Sequence, residues 1–217
     1  MARTQAERSA ATQDAVLTAA RELWGQRGYA AVSTPEIARA AGVTRGAMYH
    51  QYTDKGKLFL AVLEAVEADV IDRLTASIGA AQPATPADAL RLAANAWLEI
   101  ASEPEVRQLV LLDAPSVLGW AGFREISLRY GLGMTEQLLG AAIAAGQLDP
   151  QPVRPLATIV IGALDEAAMV IANADDPARE TGEVLTVVHN LIDGLLRPAS
   201  GASNDPDKAS GDGTMSS

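Results

Sequence analysis

An all-α protein, with a small basic helical domain leading a larger acidic helical body, is what this sequence predicts. Three observations point there. Hydrophobic residues make up 48% of the chain and aromatic residues only 4%; Ala, Leu, Glu and Arg are abundant, and strict apolar–polar alternation is scarce. Helix-start residues recur: Ser33, Thr44, Asp54 and Thr85 each stand just before a stretch with helical periodicity. The charge is divided unevenly. Residues 1–60 hold eight Lys/Arg and five Asp/Glu, the rest nine and twenty-two, so a net charge of −10 conceals a basic leading segment.

At 217 residues the chain has length enough for a substantial core. It contains no cysteine, which excludes disulfides, thiolate metal sites and cysteine nucleophiles. No uninterrupted run of eighteen apolar residues suggests a membrane span. The opening "MARTQAERSAATQDA" lacks the apolar stretch of a secretory signal, so a cytoplasmic protein is expected.

Residues 1–11 read as a flexible arm. The first helix is expected from about Thr12 to Arg27, with Val16, Ala20, Leu23 and Trp24 on one face. Gly28 offers a positive-φ stop, and Tyr29 can fold back on the apolar face. In "STPEIARAAGVTRGAMYHQY", Ser33 and Glu36 have capping-box spacing and Pro35 suits a first turn, so a short helix should run to about Ala41. Gly42 turns the chain, and Thr44 caps a third helix with Val43 and Met48 at staple spacing. Two short helices joined by a short glycine-containing turn make a helix-turn-helix, so residues 12–54 read as a DNA-binding domain.

Residues 55–197 read as a larger helical body. Asp54 caps a long fourth helix whose buried stripe is Leu58, Val62, Leu63, Val66, Val70, Leu74 and Ile78, ending near Ala80. Thr85-Pro86 opens the fifth, running to Ala101. The sixth follows Pro104 and should stop near Asp113-Ala114-Pro115. A long seventh ends at Gly146, an eighth spans about Pro155–Ala174, and a ninth about Ala178–Leu196. The Gly-, Ser- and Asp-rich residues 198–217 are expected to be disordered.

A third helix lying in a DNA major groove would present its N-terminal residues to base edges and phosphates. Thr44 and Arg45 lie there, and Arg45 could either read guanine in bidentate fashion or clamp a phosphate. Gly46 and Ala47 leave that face nearly bare; Tyr49 and His50 follow one turn on. Lys55 and Lys57 sit in the first turn of the fourth helix, where the macrodipole disfavours cations by about 0.3–1 kcal/mol each. A bound phosphate reverses that penalty, and Thr34 could add a similar contact. Taken singly, each feature has a plainer reading: His50, Lys55 and Lys57 as solvated residues, and Tyr49 and Tyr52 both as core, the reading preferred for Tyr52. The ordered coincidence of cap, short helix, glycine turn, stapled helix and lysine-led long helix favours DNA.

These residues, "VSTPEIARAAGVTRGAMYHQYTDKGKLF", resemble the DNA-binding domain of TetR-family transcriptional regulators over about residues 12–60. "LLDAPSVLGWAGFREISLRYGLG" is further similar to a C-terminal domain type of actinobacterial members. By position, the resemblance implies DNA contacts from Thr34, Thr44, Arg45, Gly46, Tyr49, His50 and Lys55. Pro35 departs from the family's usual polar or basic residue, and Gly56-Lys57 from its acidic first turn.

The resemblance implies a homodimer formed through helices eight and nine (about 155–196), and their wide apolar surface suits a four-helix bundle. Pocket candidates are the large side chains Trp97, Trp120, Phe123, Tyr130, Met134 and Met169, with Asp165. Asp165-Glu166 interrupts the apolar run of helix eight; the pair could face a pocket and select a cationic or hydroxyl-bearing ligand, or lie at the interface and pair with an arginine. The expected function is a sequence-specific DNA-binding regulator, a repressor released from a palindromic operator by a small-molecule effector. The alternatives are a helical protein–protein adaptor without specific DNA binding and a small helical enzyme. For the enzyme, two distant histidines (His50 and His189) and the absence of a Lys-Ser/Thr phosphate loop offer little chemistry. No catalytic residue, cofactor or metal is expected.

Overall fold

The computed structural model describes residues 4–196. These build α1 (Gln5–Arg27), α2 (Thr34–Ala40), α3 (Arg45–Gln51), α4 (Lys55–Ala81), α5 (Pro86–Ala101), α6 (Pro104–Val106), α7 (Ala114–Ala144), α8 (Val153–Asn173) and α9 (Pro177–Leu195). A π-helical segment, Arg107–Asp113, joins α6 to α7.

The first helix starts earlier than its apolar face suggests. Thr4 accepts from Glu7 N–H at 3.2 Å while Glu7 accepts from Thr4 N–H at 2.8 Å, a closed capping box at the head of α1. Residues 5–11 are therefore helical rather than an arm. Gln51 of α3 donates to the Ser9 hydroxyl at 2.8 Å, so this added length carries tertiary contact. The expected box at Ser33 does not close: Ser33 makes no side-chain cap, and Glu36 pairs with Arg27 as well as with the Ser33 backbone. Thr44, Asp54 and Thr85 all cap as expected, accepting from the amides of Ala47, Lys57 and Asp88.

Helix six does not end at Asp113-Ala114-Pro115. Pro115 lacks an N–H and crowds the carbonyl four residues back. The wider π turn accommodates it, with Ala114 N–H reaching Leu109 C=O, and the chain stays helical. The interruption falls at Gly119 instead, whose φ of 70° and ψ of 168° break the helical path inside α7. The long helix expected from here to Gly146 therefore has a broken start.

The main core joins the two functional layers. Val16, Ala20 and Trp24 of α1, Ile37 of α2 and Met48 of α3 pack on Leu58, Phe59 and Val62 of α4, all 0–1% exposed. The aromatic rings of Trp24, Tyr29 and Phe59 meet pairwise at 5.0–5.6 Å between centroids. The stripe of α4 continues through Leu63, Val66, Val70 and Leu74 into the body; Ile78 is only half-buried. There α5, α7, α8 and α9 surround it, and a second core of Leu139, Ala142, Leu148, Leu156 and Ala157 closes the far end of α7. By length and composition α8 could cross a membrane, with a mean hydropathy of 1.7 over its apolar window. In the fold it packs between α7 and α9. The expected disordered tail, residues 198–217, lies outside the described residues.

Candidate functional site

The N-terminal edge of α3 is exposed and sparsely clothed. Thr44, Arg45 and Gly46 are solvent-facing, and a Cβ at Gly46 would have only Thr44 Oγ1 nearby, at 4.0 Å. One turn on, Tyr49 and His50 are also exposed. The Tyr49 hydroxyl shares a 3.0 Å hydrogen bond with Thr34 Oγ1 at the head of α2. Arg45 lies with its guanidinium carbon 5.9 Å from the Tyr49 ring centre. The Thr34 bond, and after it Arg45, hold the Tyr49 phenol below its ordinary pKa. Thr34, Arg45 and Tyr49 thus form one cluster of donors on the outer face of the helix-turn-helix. Tyr52, by contrast, is buried, as expected of a core residue.

The two lysines at the head of α4 differ. Lys57 is exposed. Lys55 is turned inward: its ammonium donates to Tyr29 C=O at 2.6 Å and lies 4.0 Å from the Tyr29 ring centre. Burial lowers its pKa, with the Asp113 charge opposing. An ammonium carries three donors, so the tether fixes its position without exhausting its hydrogen-bonding capacity. Asp113, from the π-helical segment, accepts from Tyr29 N–H at 2.7 Å. Gly28 precedes it with φ of 78°, and a Cβ there would meet Gln108 Nε2 at 2.9 Å. The loop after α1 is thereby clamped between α4 and the body, a joint that sequence periodicity did not reveal.

A cavity of about 90 Å³ lies between α4, α5, α7, α8 and α9. Four of the pocket candidates, Trp97, Phe123, Met134 and Asp165, line it. Three others do not. Trp120, just past the Gly119 break, is 60% exposed and only touches the cavity wall through Phe123, at 5.6 Å between rings. Tyr130 and Met169 are half-buried against the main core rather than the cavity.

Asp165 faces the cavity, and the arginine it pairs with, Arg124, belongs to its own chain. Arg124 lies 3.2 Å away and the Ser127 hydroxyl donates at 2.5 Å, while burial raises the carboxyl's pKa. Glu166 is exposed. The residue missed from sequence is Glu67. It is 5% exposed, it lines the cavity, and burial followed by the Asp165 charge raises its pKa to about 8. The signal was present: Glu67 interrupts the α4 stripe between Val66 and Val70, where every other member is apolar.

Neither histidine lines the cavity. His189 contacts Asn95 Oδ1 at 2.7 Å and His50 is at the surface.

Comparison with known proteins agrees with this geometry. Residues 16–62 match the family described as bacterial regulatory proteins, tetR family, and residues 87–195 match the tetracyclin repressor-like C-terminal domain. The chain is 36% identical to the HTH-type transcriptional regulator AcrR of Shigella flexneri over 111 residues, which is 51% of each chain. It is 24% identical to the transposon Tn10 TetC protein of Escherichia coli, over 87% of this chain and 94% of that one. A crystal structure of a TetR-family transcriptional regulator from Pectobacterium atrosepticum superposes with a TM-score of 0.80 at 33% identity, covering 91% of this chain and all of that one.

Proposed function

The chain belongs to the TetR family of bacterial regulatory proteins, and on that premise we propose that it is a homodimeric, sequence-specific transcriptional repressor released from a palindromic operator by a small molecule. The observation that carries the DNA assignment is the exposed α3 edge, where Arg45 and bare Gly46 stand beside the hydrogen-bonded Thr34 and Tyr49. Arg45 is assigned to base edges. Thr34, Thr44, Ala47, Tyr49, His50, Lys55 and Lys57 are assigned to positioning α3 on the backbone.

Dimerisation is assigned to α8 and α9, which leave large apolar side chains in water: Ile159 and Val170 on one, Val187, Leu191 and Leu195 on the other. Positions 187, 191 and 195 fall along one helical face, and 159 and 170, eleven residues apart, share another. Facing copies would bury both in a four-helix bundle. Two recognition helices must then sit about 34–36 Å apart to read successive half-sites.

The coupling is assigned to α4. Lys55 at its head is tied to the DNA-binding domain, and Glu67, twelve residues on and about 18 Å along the axis, faces the cavity. A ligand that displaces α4 shifts the Tyr29 joint, and with it the spacing of the recognition helices.

The test is a mobility-shift titration with DNA flanking the protein's own gene, against a scrambled fragment of equal length. Tighter binding of the native fragment is expected. Equal affinity for both would refute sequence-specific regulation and return the adaptor reading.

A further inference from the structure

Glu67 is a buried carboxyl with no hydrogen-bond or ion-pair partner among the described residues, and it faces an otherwise apolar cavity. We propose that Glu67 is the anchor of the effector site and that the effector is an apolar molecule bearing one basic nitrogen, bound as its ammonium cation. This rests on the effector reading above and narrows it to a chemical class.

The cavity's other polar groups are already committed. Asp165 is held by Arg124 and Ser127, the Thr135 hydroxyl donates to Gly131 C=O at 2.9 Å, and Trp97 Nε1–H donates to Leu164 C=O at 3.3 Å. A polyhydroxylated ligand would find few partners there, and leaving its groups unpaired is costly. Among the described residues no Lys, Arg or His lines the cavity, so they offer an anion no counter-charge. Among the described residues that line the cavity, Glu67 is the polar side chain left without a hydrogen-bond partner, and an unpaired buried carboxyl destabilises the fold unless something binds it.

The groups around Glu67 favour a cation over a neutral donor. From α8 comes Asp165, from α7 Arg124, Ser127 and Tyr130, and from α5 the Trp97 ring. Arg124 neutralises Asp165, and among the described residues no second positive charge serves Glu67. A ligand ammonium would supply it, while the rings of Trp97 and Phe123 enclose the apolar body and favour the cation on their faces. Glu67 is protonated near neutral pH, so the bound cation displaces that proton to solvent: ammonium and carboxylic acid go in, an ion pair and one released proton result.

The test uses N,N-dimethylbenzylamine, cationic at neutral pH, and isobutylbenzene, an uncharged molecule of the same shape. Calorimetric titration of the full chain should show the amine binding with close to one proton released, counted from two buffers of different ionisation enthalpy. Glu67→Gln should weaken the amine by about 10- to 100-fold, the range of a charge-assisted hydrogen bond, and leave isobutylbenzene unchanged or tighter. Glu67→Leu, expected to unfold at a higher temperature than wild type, shows that any loss is not misfolding. Equal affinity of the two probes for wild type, an amine indifferent to Glu67→Gln, or no amine binding at millimolar concentration would each overturn the proposal. DNA release separates it from the effector reading. If the amine binds through Glu67 without loosening DNA, the anchor stands and the effector role falls. If isobutylbenzene loosens DNA and the amine does not, the effector role stands and the anchor falls.

Discussion

Replacing Glu67 by Gln should change how the protein's stability depends on pH before any ligand is added. In the folded chain the Glu67 carboxyl is held at about 8 by burial and by the Asp165 charge, against an ordinary value of 4.5. The folded state therefore binds a proton that the unfolded state has released throughout that window. Stability falls as pH rises wherever the folded state holds the extra proton, so this contribution declines from about pH 4.5 and levels off above about pH 8. At pH 7 the loss amounts to about 3 kcal/mol, from 1.36 kcal/mol for each unit between 4.5 and 7. For a chain of this size that corresponds to roughly 6–12 °C in Tm. Gln cannot titrate, so the wild-type curve should fall away from the Glu67→Gln curve by this amount between pH 4.5 and 7. Urea denaturation at fixed protein concentration, at half-unit steps of pH, measures both curves. Parallel curves would show that Glu67 is solvated or already paired, and would refute the buried, partnerless carboxyl on which the cavity chemistry depends.

Other expectations concern the DNA face, the joint and the dimer. Arg45→Ala should weaken operator binding by about 1–3 kcal/mol and relax specificity at one position, whereas Lys57→Ala should weaken all sequences alike and lower the salt slope by about 1; anisotropy titrations over a range of salt distinguish them. Asp113→Ala removes the acceptor of Tyr29 N–H and should cost about 1–3 kcal/mol, with faster amide exchange at Tyr29 than at Met48 in the α3 core. A variant exchanging only as fast as wild type at Tyr29 would show that the joint is held by Lys55 alone. Leu191→Glu places a charge on the exposed apolar face of α9 and should shift sedimentation from dimer towards monomer while leaving helicity unchanged. Persistence of the dimer would move the interface elsewhere.

Legibility followed the range of the interaction. Thr44, Asp54 and Thr85 were readable as caps because each acts on an amide three residues away. The Ser33–Glu36 box has the same spacing, yet the Ser33 side chain makes no cap and Arg27 from the preceding helix also pairs with the Glu36 carboxylate. The early start of α1 was hidden because residues 5–11 have no strong apolar face; the Thr4 cap and the Gln51–Ser9 bond hold them. Asp113-Ala114-Pro115 reads as a helix end because a proline removes a hydrogen bond, and only the fold shows the π turn that accommodates it. Trp120 reads as a pocket residue by size alone, whereas in the fold it stands exposed just past the Gly119 break.

By itself, then, the sequence determined the all-helical class, the helix-turn-helix with its exposed Arg45–Gly46 edge, and the basic and acidic division of the chain. These depend on periodicity, capping and charge, which act over a few residues. The tertiary structure alone decided that Lys55 is tethered to Tyr29, that Asp165 is paired with Arg124, and that Glu67 faces a cavity with no partner among the described residues. A side chain's partner comes from whichever distant helix packs beside it, and that neighbour is set by the assembled core rather than by local spacing.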